Sequence, residues 1–185
     1  MKSILESIEK KKIVSLYDNK NDTAGHYSGD IQYVNEDHVL ISHYNSSGGY
    51  SGYVLLKTEN IYRVDQDGKY ENSLKRLSKL QSEEQAHHCF NETEDLVFDL
   101  LQFAQQKQLV VLIELCESDM DDIQGFILNI NKETVVISCI DNFGEQDGIS
   151  TIFTEDISVI KCDTNPCREA KLLYDCITRE QRTKQ

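Results

Sequence analysis

SGDIQYVNEDHVLIS at residues 28–42 returns in altered form as QGFILNINKETVVIS at residues 124–138. The two stretches align at an offset of 96 residues, and the same offset holds without a gap over residues 13–65. Glycines and apolar residues recur at strand-like spacing, which is typical of a repeated structural unit. The sequence therefore predicts a tandem duplication of one β-rich module. The identical pairs include Val14/Val110, Leu16/Leu112, Gly29/Gly125, Ile31/Ile127, Asn35/Asn131, Val39/Val135, Ile41/Ile137 and Ile61/Ile157.

Each copy is predicted to form four or five short strands. A β-rich run opens each copy, at residues 13–17 and 109–115, and a long strand follows that begins at Gly29 or Gly125. Asparagine interrupts that strand, at Asn35 and Asn131, and marks a bend. Paired glycines then bracket a turn whose positive φ angles suit glycine, and a last strand follows. Short strands with glycine at their bends, within about 55 residues, predict a small and highly curved barrel.

Helical patterns flank both predicted barrels. They cover residues 2–10, 70–86, 92–107 and 166–181. Asn91 with Glu94 resembles a capping box at the start of the third helix, and Asn165 is placed to cap the fourth, with Pro166 at its first position. The chain is therefore predicted to contain two domains, 1–88 and 89–185, each with an N-terminal and a C-terminal helix. The break is predicted near residues 87–91.

The order of these features resembles the Sm-like fold, particularly that of the bacterial RNA chaperone Hfq. A short helix and a β-run precede a G-x-I motif, an amide six positions after the glycine, an apolar pair and a final strand that contains isoleucine. The matching residues are Gly29, Ile31, Asn35, Leu40, Ile41 and Ile61 in the first copy, and Gly125, Ile127, Asn131, Val136, Ile137 and Ile157 in the second. The resemblance implies a mainly β protein with flanking helices, built from two tandem five-stranded Sm-like or SH3-like small barrels. It also implies ring-like assembly and RNA binding.

Charge favours protein partners over nucleic acid. The formal net charge is -13 and the isoelectric point is near 4.7. Residues 109–160 carry eleven acidic residues against the one base Lys132, whereas residues 13–64 carry six against three. A phosphate-binding surface needs Lys or Arg, so we expect no DNA binding, and we expect RNA only at the first barrel. We find no apolar run long enough for a membrane span and no signal-peptide pattern, and we therefore expect a cytoplasmic protein without a membrane partner.

Tyrosines distinguish the two copies and supply the candidate binding residues. Tyr33, Tyr50 and Tyr62 align with polar residues of the second copy, which predicts solvent-facing positions, and Lys57 and Arg63 lie nearby in the sequence. Exposed tyrosines can stack on bases or anchor a protein interface, although half-exposed strand tyrosines are also favoured by β-propensity alone. Other tyrosines align with isoleucines and are predicted to lie in the core; these pairs are Tyr17/Ile113, Tyr27/Ile123, Tyr44/Ile140 and Tyr53/Ile149.

Metal binding and catalysis find little support in the sequence. The six cysteines are scattered through a chain without a secretory pattern, which favours reduced thiols. Neither residues 87–89 (His-His-Cys) nor Cys162 with Cys167 forms the two ligand pairs of a structural zinc site. The acidic loop at residues 117–122 lacks a calcium-binding pattern. No catalytic motif is present, so we expect no metal, no cofactor and no enzymatic activity.

Two functions remain open from the sequence. The first is a non-enzymatic binding or assembly module that recognises a protein partner or a second copy of itself; exposed strand edges invite such pairing. The second is RNA binding through the tyrosine-rich first barrel. The sequence does not distinguish the partner or the oligomeric state.

Overall fold

The computed structural model describes residues 12–81, 95–116 and 123–183, together with Leu5 and Phe90. The chain divides into two compact units, Met1–Leu96 and Val97–Gln185. The predicted helix over residues 2–10, apart from Leu5, and the predicted capping box at Asn91 lie outside the described residues. The predicted domain break at residues 87–91 falls there too, except for Phe90, so the domain limits 1–88 and 89–185 stay a prediction.

Unit 1 contains five antiparallel strands and one described helix. The strands lie in the order β5-β1-β2-β3-β4, so that the last strand returns beside the first. Helix α1 packs on β1. The elements are β1 (Ile13–Tyr17), β2 (Tyr27–Val34), β3 (His38–Tyr44), β4 (Tyr50–Lys57), β5 (Arg63–Gln66) and α1 (Lys69–Leu80).

Unit 2 places five strands in the corresponding order, β10-β6-β7-β8-β9. A short 3-10 turn at Thr154–Asp156 separates the last two strands in sequence. Helix α3 packs on β6. The elements are α2 (Leu96–Lys107), β6 (Val110–Leu115), β7 (Ile123–Ile130), β8 (Thr134–Ile140), β9 (Gln146–Phe153), β10 (Ile157–Cys162) and α3 (Asn165–Thr183).

The prediction of two tandem five-stranded Sm-like or SH3-like barrels, each with two helices, is wrong. The described strands form open antiparallel sheet, in the order β5-β1-β2-β3-β4 in unit 1 and β10-β6-β7-β8-β9 in unit 2, and the described residues form only three helices. The Sm-like resemblance and the duplicated-barrel interpretation are therefore corrected. Spacing in the sequence identifies strands and turns, but closure of a barrel depends on strand tilt and stagger, which that spacing does not specify.

Glycine permits an unusually close approach between neighbouring strands in both units. A Cβ atom on Gly29 would lie 2.0 Å from the carbonyl oxygen of Ser42, and one on Gly125 would lie 2.1 Å from that of Ser138. In each unit a register shift follows within a few residues, between Ile31 and Tyr33 in β2 and at the corresponding place in β7. The shared glycine thus has a steric cause, because only a residue without a side chain fits at this close approach.

Asparagine closes a turn between two antiparallel strands, rather than the predicted bend within one long strand. The side-chain Oδ1 of Asn35 accepts hydrogen bonds from the backbone N–H groups of Asp37, at 3.0 Å, and His38, at 2.7 Å. Asn131 accepts the corresponding bonds at 2.8 and 2.9 Å. The next turn contains Gly48 in unit 1, with φ of 86°, which confirms the prediction that this turn needs glycine.

The first strand of unit 2 departs from the alignment by one residue. Val14 lies opposite Gly29, but Val111, rather than Val110, lies opposite Gly125. The pairs Val14/Val110 and Leu16/Leu112 are therefore not structural equivalents. A one-residue shift moves every side chain of a strand to the other face. Residues 109–113 are all apolar, so their hydrophobicity alone cannot choose between the two registers.

The helices that follow the last strand of each unit begin close to their predicted positions. Helix α3 begins at Asn165, and the N–H of Arg168 donates to the carbonyl of Thr164, so the capping position is Thr164 rather than Asn165. Helix α1 begins at Lys69 and ends at Leu80, before the predicted end at residue 86. Across the described parts of the chain, no helix has both the length and the apolar character that a membrane crossing requires.

Candidate functional site

Strand β9 stands at the end of the strand order and leaves one backbone edge open. It pairs with β8 over eight residues, and within residues 12–81, 95–116 and 123–183 no strand pairs with its other side. Residues 148–153 of this strand are uncharged and include no proline. Natural edge strands are usually short, charged or interrupted, since an open edge invites pairing with another chain. β9 has few of these protections.

One face of β9 is apolar and exposed. Ile149 is 69% exposed and Phe153 is 59% exposed, with the exposed Thr151 between them. These three residues point to the same side because side chains alternate along a strand. Ile152 points to the opposite side and is buried in the core. We call the exposed side chains of Ile149, Thr151 and Phe153 the β9 face.

The corresponding face of β4 in unit 1 is covered. Tyr53 occupies the register position of Ile149, because Ser42 pairs with Tyr53 as Ser138 pairs with Ile149. Tyr53 is only 2% exposed, and the ring of Phe90 packs edge-on against it with centroids 5.0 Å apart. Tyr33 also donates a hydrogen bond from its hydroxyl to the carbonyl of Phe90. Phe90 therefore covers in unit 1 the strand position that stands exposed in unit 2.

Acidic side chains surround the two ends of the β9 face. Glu145 and Asp147 are exposed at the start of β9, and Asp156 is exposed just after its end. The β7–β8 turn lies against the same end, because the N–H of Thr154 donates to the carbonyl of Glu133 at 2.9 Å. Lys132 is the only base in that turn. The face is thus an uncharged strip between two negative ends.

The strand at the opposite end of the order, β5, is protected by contrast. It spans four residues, and two of them carry charge. The guanidinium of Arg63 forms a bidentate ion pair with the carboxylate of Asp65, with Nε 2.9 Å from Oδ1 and Nη2 2.5 Å from Oδ2. The hydrogen bonds from Arg63 hold the pKa of the Asp65 carboxyl below its usual value. Short length and paired charges make β5 a poor template for strand pairing.

The sequence-predicted binding residues fall into separate places in unit 1. Tyr33 is bonded to Phe90, as described above. Tyr50 is half-buried, with its ring 6.4 Å from that of Tyr44 and 5.8 Å from that of Tyr53. Burial and the nearby Asp30 carboxyl raise the pKa of the Tyr44 hydroxyl well above its ordinary value. Tyr33 and Tyr50 therefore belong to one packed aromatic group around Tyr53 and Phe90.

Tyr62 and Arg63 belong to a second group at β1 and β5. The rings of Tyr62 and Tyr17 lie 6.3 Å apart, and the guanidinium of Arg63 sits 4.4 Å from the centre of the Tyr17 ring. The hydroxyl of Tyr17 donates to Asp65 at 3.2 Å, and burial, followed by this carboxylate, raises the pKa of Tyr17. His26 completes the group, 5.0 Å from the same ring.

Lys57 joins neither group. It lies at the end of β4, where it pairs with His38. The five predicted residues thus occupy three places within unit 1 rather than one shared surface. Their role in binding stays a prediction.

The described residues form no cluster that could hold a metal ion. Within the described parts of the chain, no three His, Cys, Asp or Glu side chains converge in a way that could hold a metal ion. Cys162 and Cys167 are buried, and burial raises the pKa of both thiols, which makes them poor nucleophiles. Cys176 is exposed on α3. The predicted metal candidates at residues 87–89 and 117–122 lie outside the described residues.

Sequence reasoning missed Ile149 and Phe153. The alignment of Ile149 with Tyr53 predicted a core position for both, which is right for Tyr53 and wrong for Ile149. One available signal was the uncharged stretch at residues 148–153 inside an otherwise acidic region. Its alternation of apolar and small polar residues is consistent with a strand, but the pattern does not say which face is covered.

Searches of protein-family models, curated proteins and solved structures found no significant match to this chain.

Proposed function

We propose that this chain is a non-enzymatic binding module that recognises another protein through the β9 face. One observation carries the proposal: Ile149 is 69% exposed at the position where unit 1 buries Tyr53 beneath Phe90. An apolar surface rimmed by polar residues commonly marks a protein interaction site. The covered face in unit 1 supports this proposal, because there the side chain of Phe90 packs on the corresponding strand position.

Covering this face makes a measurable contribution to the free energy of binding. Complete burial of an isoleucine or phenylalanine side chain contributes about 1.5–3 kcal/mol relative to exposure. Ile149 and Phe153 retain more than half of their exposure, so a bound segment gains a large part of that energy at each. Two such contacts can change an equilibrium constant by more than about tenfold, since about 1.4 kcal/mol corresponds to a factor of ten.

The test uses peptides and a matched pair of variants. A random-peptide display library is selected against the purified chain, and enriched peptides are synthesised and measured by isothermal titration calorimetry. We expect them to bind the unchanged protein and to lose at least about tenfold in affinity with Ile149→Ser/Phe153→Ser. The control is Leu80→Ser, which removes an 83% exposed leucine from the end of α1 and should leave the affinity unchanged.

Two results would contradict the proposal. One is enrichment of peptides that bind the double variant as tightly as the unchanged protein. The other is selection of no specific peptide at all. Circular dichroism of each variant shows that a lost affinity does not come from a lost fold.

A further inference from the structure

The backbone of β9 can pair with an added strand as well as present its side chains. In an antiparallel pair, alternate residues direct their N–H and C=O groups away from the neighbouring strand. β9 pairs regularly with β8 from Thr134↔Phe153 to Ser138↔Ile149, so its open side offers an uninterrupted row of such groups. Addition of an extended segment to a sheet edge is a common form of peptide recognition.

The charges at both ends of β9 indicate the kind of segment that fits. Glu145 and Asp147 precede the uncharged strip, and Glu133 and Asp156 flank its end. An added segment whose central residues are uncharged and whose two ends carry Lys or Arg would meet complementary charge at both places. A segment with acidic ends would meet charges of the same sign at both ends of the strip.

A second copy of the chain fits the open edge less well. Two β9 strands paired antiparallel would bring Glu145 and Asp147 of one copy toward Asp156 of the other, and the same would happen at the opposite end. Like charges facing each other across a strand pair are destabilising. The charge pattern thus favours a basic partner segment over self-association at this edge.

The length of the uncharged strip sets the spacing of the basic residues. A strand rises by about 3.3 Å per residue, so the acidic groups at its two ends lie about 25 Å apart. Resting on the proposed function, we infer that the β9 face binds an extended segment of another protein. This segment pairs with the open edge of β9 and carries Lys or Arg at both ends, about eight residues apart.

Defined peptides test the charge requirement. The probe is the fluorescein-labelled peptide KRTVTITVTRK, compared with NQTVTITVTQN and EDTVTITVTDE, which keep the same centre. We expect the basic peptide to bind at least about tenfold more tightly than the neutral one, and the acidic peptide to bind weakest. The advantage of the basic peptide should shrink as salt rises from about 50 to about 300 mM, because exposed charges are screened.

Matched variants identify the acidic residues that cause the preference for the basic peptide. Glu133→Gln/Asp147→Asn should reduce the difference between the basic and neutral peptides severalfold. Glu169→Gln/Glu180→Gln changes the net charge equally on α3 and should leave that difference intact. An equal loss in both variants would show that only net charge matters and would overturn the inference.

Backbone methylation tests strand pairing. Two further basic peptides carry N-methyl groups at alternate residues in opposite phases, so that only one of them blocks the N–H groups facing β9. We expect only one of the two to lose binding. Equal binding by both would exclude strand addition.

The outcomes separate this inference from the proposed function. If all uncharged and charged peptides bind equally but Ile149→Ser/Phe153→Ser abolishes binding, the proposed function stands and the inference fails. If no peptide binds and sedimentation shows concentration-dependent self-association lost in that double variant, the occupant is a second copy and the inference is overturned. If the double variant changes neither peptide binding nor self-association, both proposals fail.

Discussion

The outer faces of β4 and β9 occupy corresponding register positions but differ in what covers them. Tyr53 on β4 is packed beneath Phe90, whereas Ile149 on β9 faces solvent. Both strands span eight residues, and each pairs with the preceding strand in the same register. This difference shows that the burial of a strand residue depends on what packs on its side of the strand. In unit 1 that role belongs to Phe90, which is distant from Tyr53 in the sequence.

A second difference lies where a helix packs on the first strand of each unit. In unit 1, Ser15 donates a 2.6 Å hydrogen bond to the buried carboxylate of Glu71 on α1. In unit 2, the corresponding contact is apolar and includes Val110, Ile140, Cys167 and Ala170. The contact between the first strand and the helix therefore includes a directional hydrogen bond in unit 1, whereas in unit 2 it consists of apolar packing.

The largest effect should come from the glycines that the two units share. Gly29→Ala and Gly125→Ala each place a methyl group about 2 Å from a backbone carbonyl oxygen, which cannot move without breaking strand pairing. We expect each to lower the free energy of unfolding by at least about 3 kcal/mol, measured by urea denaturation. Gly148→Ala, with φ of 82° and no atom within 4 Å, is the control and should cost about 1 kcal/mol. If Gly125→Ala left the free energy of unfolding nearly unchanged, the close approach between strands would not be shared by the two units.

Replacing Tyr53 or Ile149 with alanine should lower the free energy of unfolding by different amounts. Tyr53→Ala removes a buried ring and its contact with Phe90, and we expect a loss of about 3 kcal/mol in the free energy of unfolding. Ile149→Ala removes a mostly exposed side chain and should cost less than about 1 kcal/mol. Thermal or urea unfolding followed by circular dichroism gives both values. Equal losses of unfolding free energy in the two variants would contradict the finding that Tyr53 is covered and Ile149 is exposed.

A smaller effect should appear with pH at His38, whose position in unit 2 is taken by Thr134. Burial lowers the pKa of His38 below its ordinary value of 6.5; the nearby Asp37 opposes this shift and Lys57 adds to it. The unfolded chain then binds this proton more readily, so this residue should reduce stability as pH falls below about 6.5. His38→Thr should weaken the loss of stability between about pH 7.5 and about pH 5, measured by urea unfolding. An unchanged pH dependence would assign that loss to other groups.

The smallest expected effect is on RNA binding. The net charge of -13 opposes a polyanion, and the rings of Tyr50 and Tyr62 already pack against other aromatic rings of unit 1. Fluorescence anisotropy with a mixed single-stranded RNA pool at low salt should show no binding, either by the unchanged protein or by Tyr33→Ala/Tyr50→Ala/Tyr62→Ala. Salt-sensitive binding that the triple variant loses would instead support RNA recognition by unit 1.

Local features of the fold could be predicted well from the sequence. The positions of most strands and the special places of Gly29, Gly125, Asn35 and Asn131 follow from short-range sterics and hydrogen bonding, although the asparagines close turns between strands instead of bending one strand. The start of α3 was predicted within one residue. The register of β6 was missed because several consecutive apolar residues satisfy either face of a strand.

The sequence by itself thus determined the strands, the turns and the acidic character of unit 2, since each depends on neighbouring residues or on composition alone. Only the tertiary structure decided that the strands form open sheet rather than barrels, that Phe90 covers Tyr53, and that Ile149 and Phe153 remain exposed beside an open edge. These features depend on contacts between residues distant in sequence. A local hydrophobic pattern specifies that a strand forms, but not which of its faces another segment will cover.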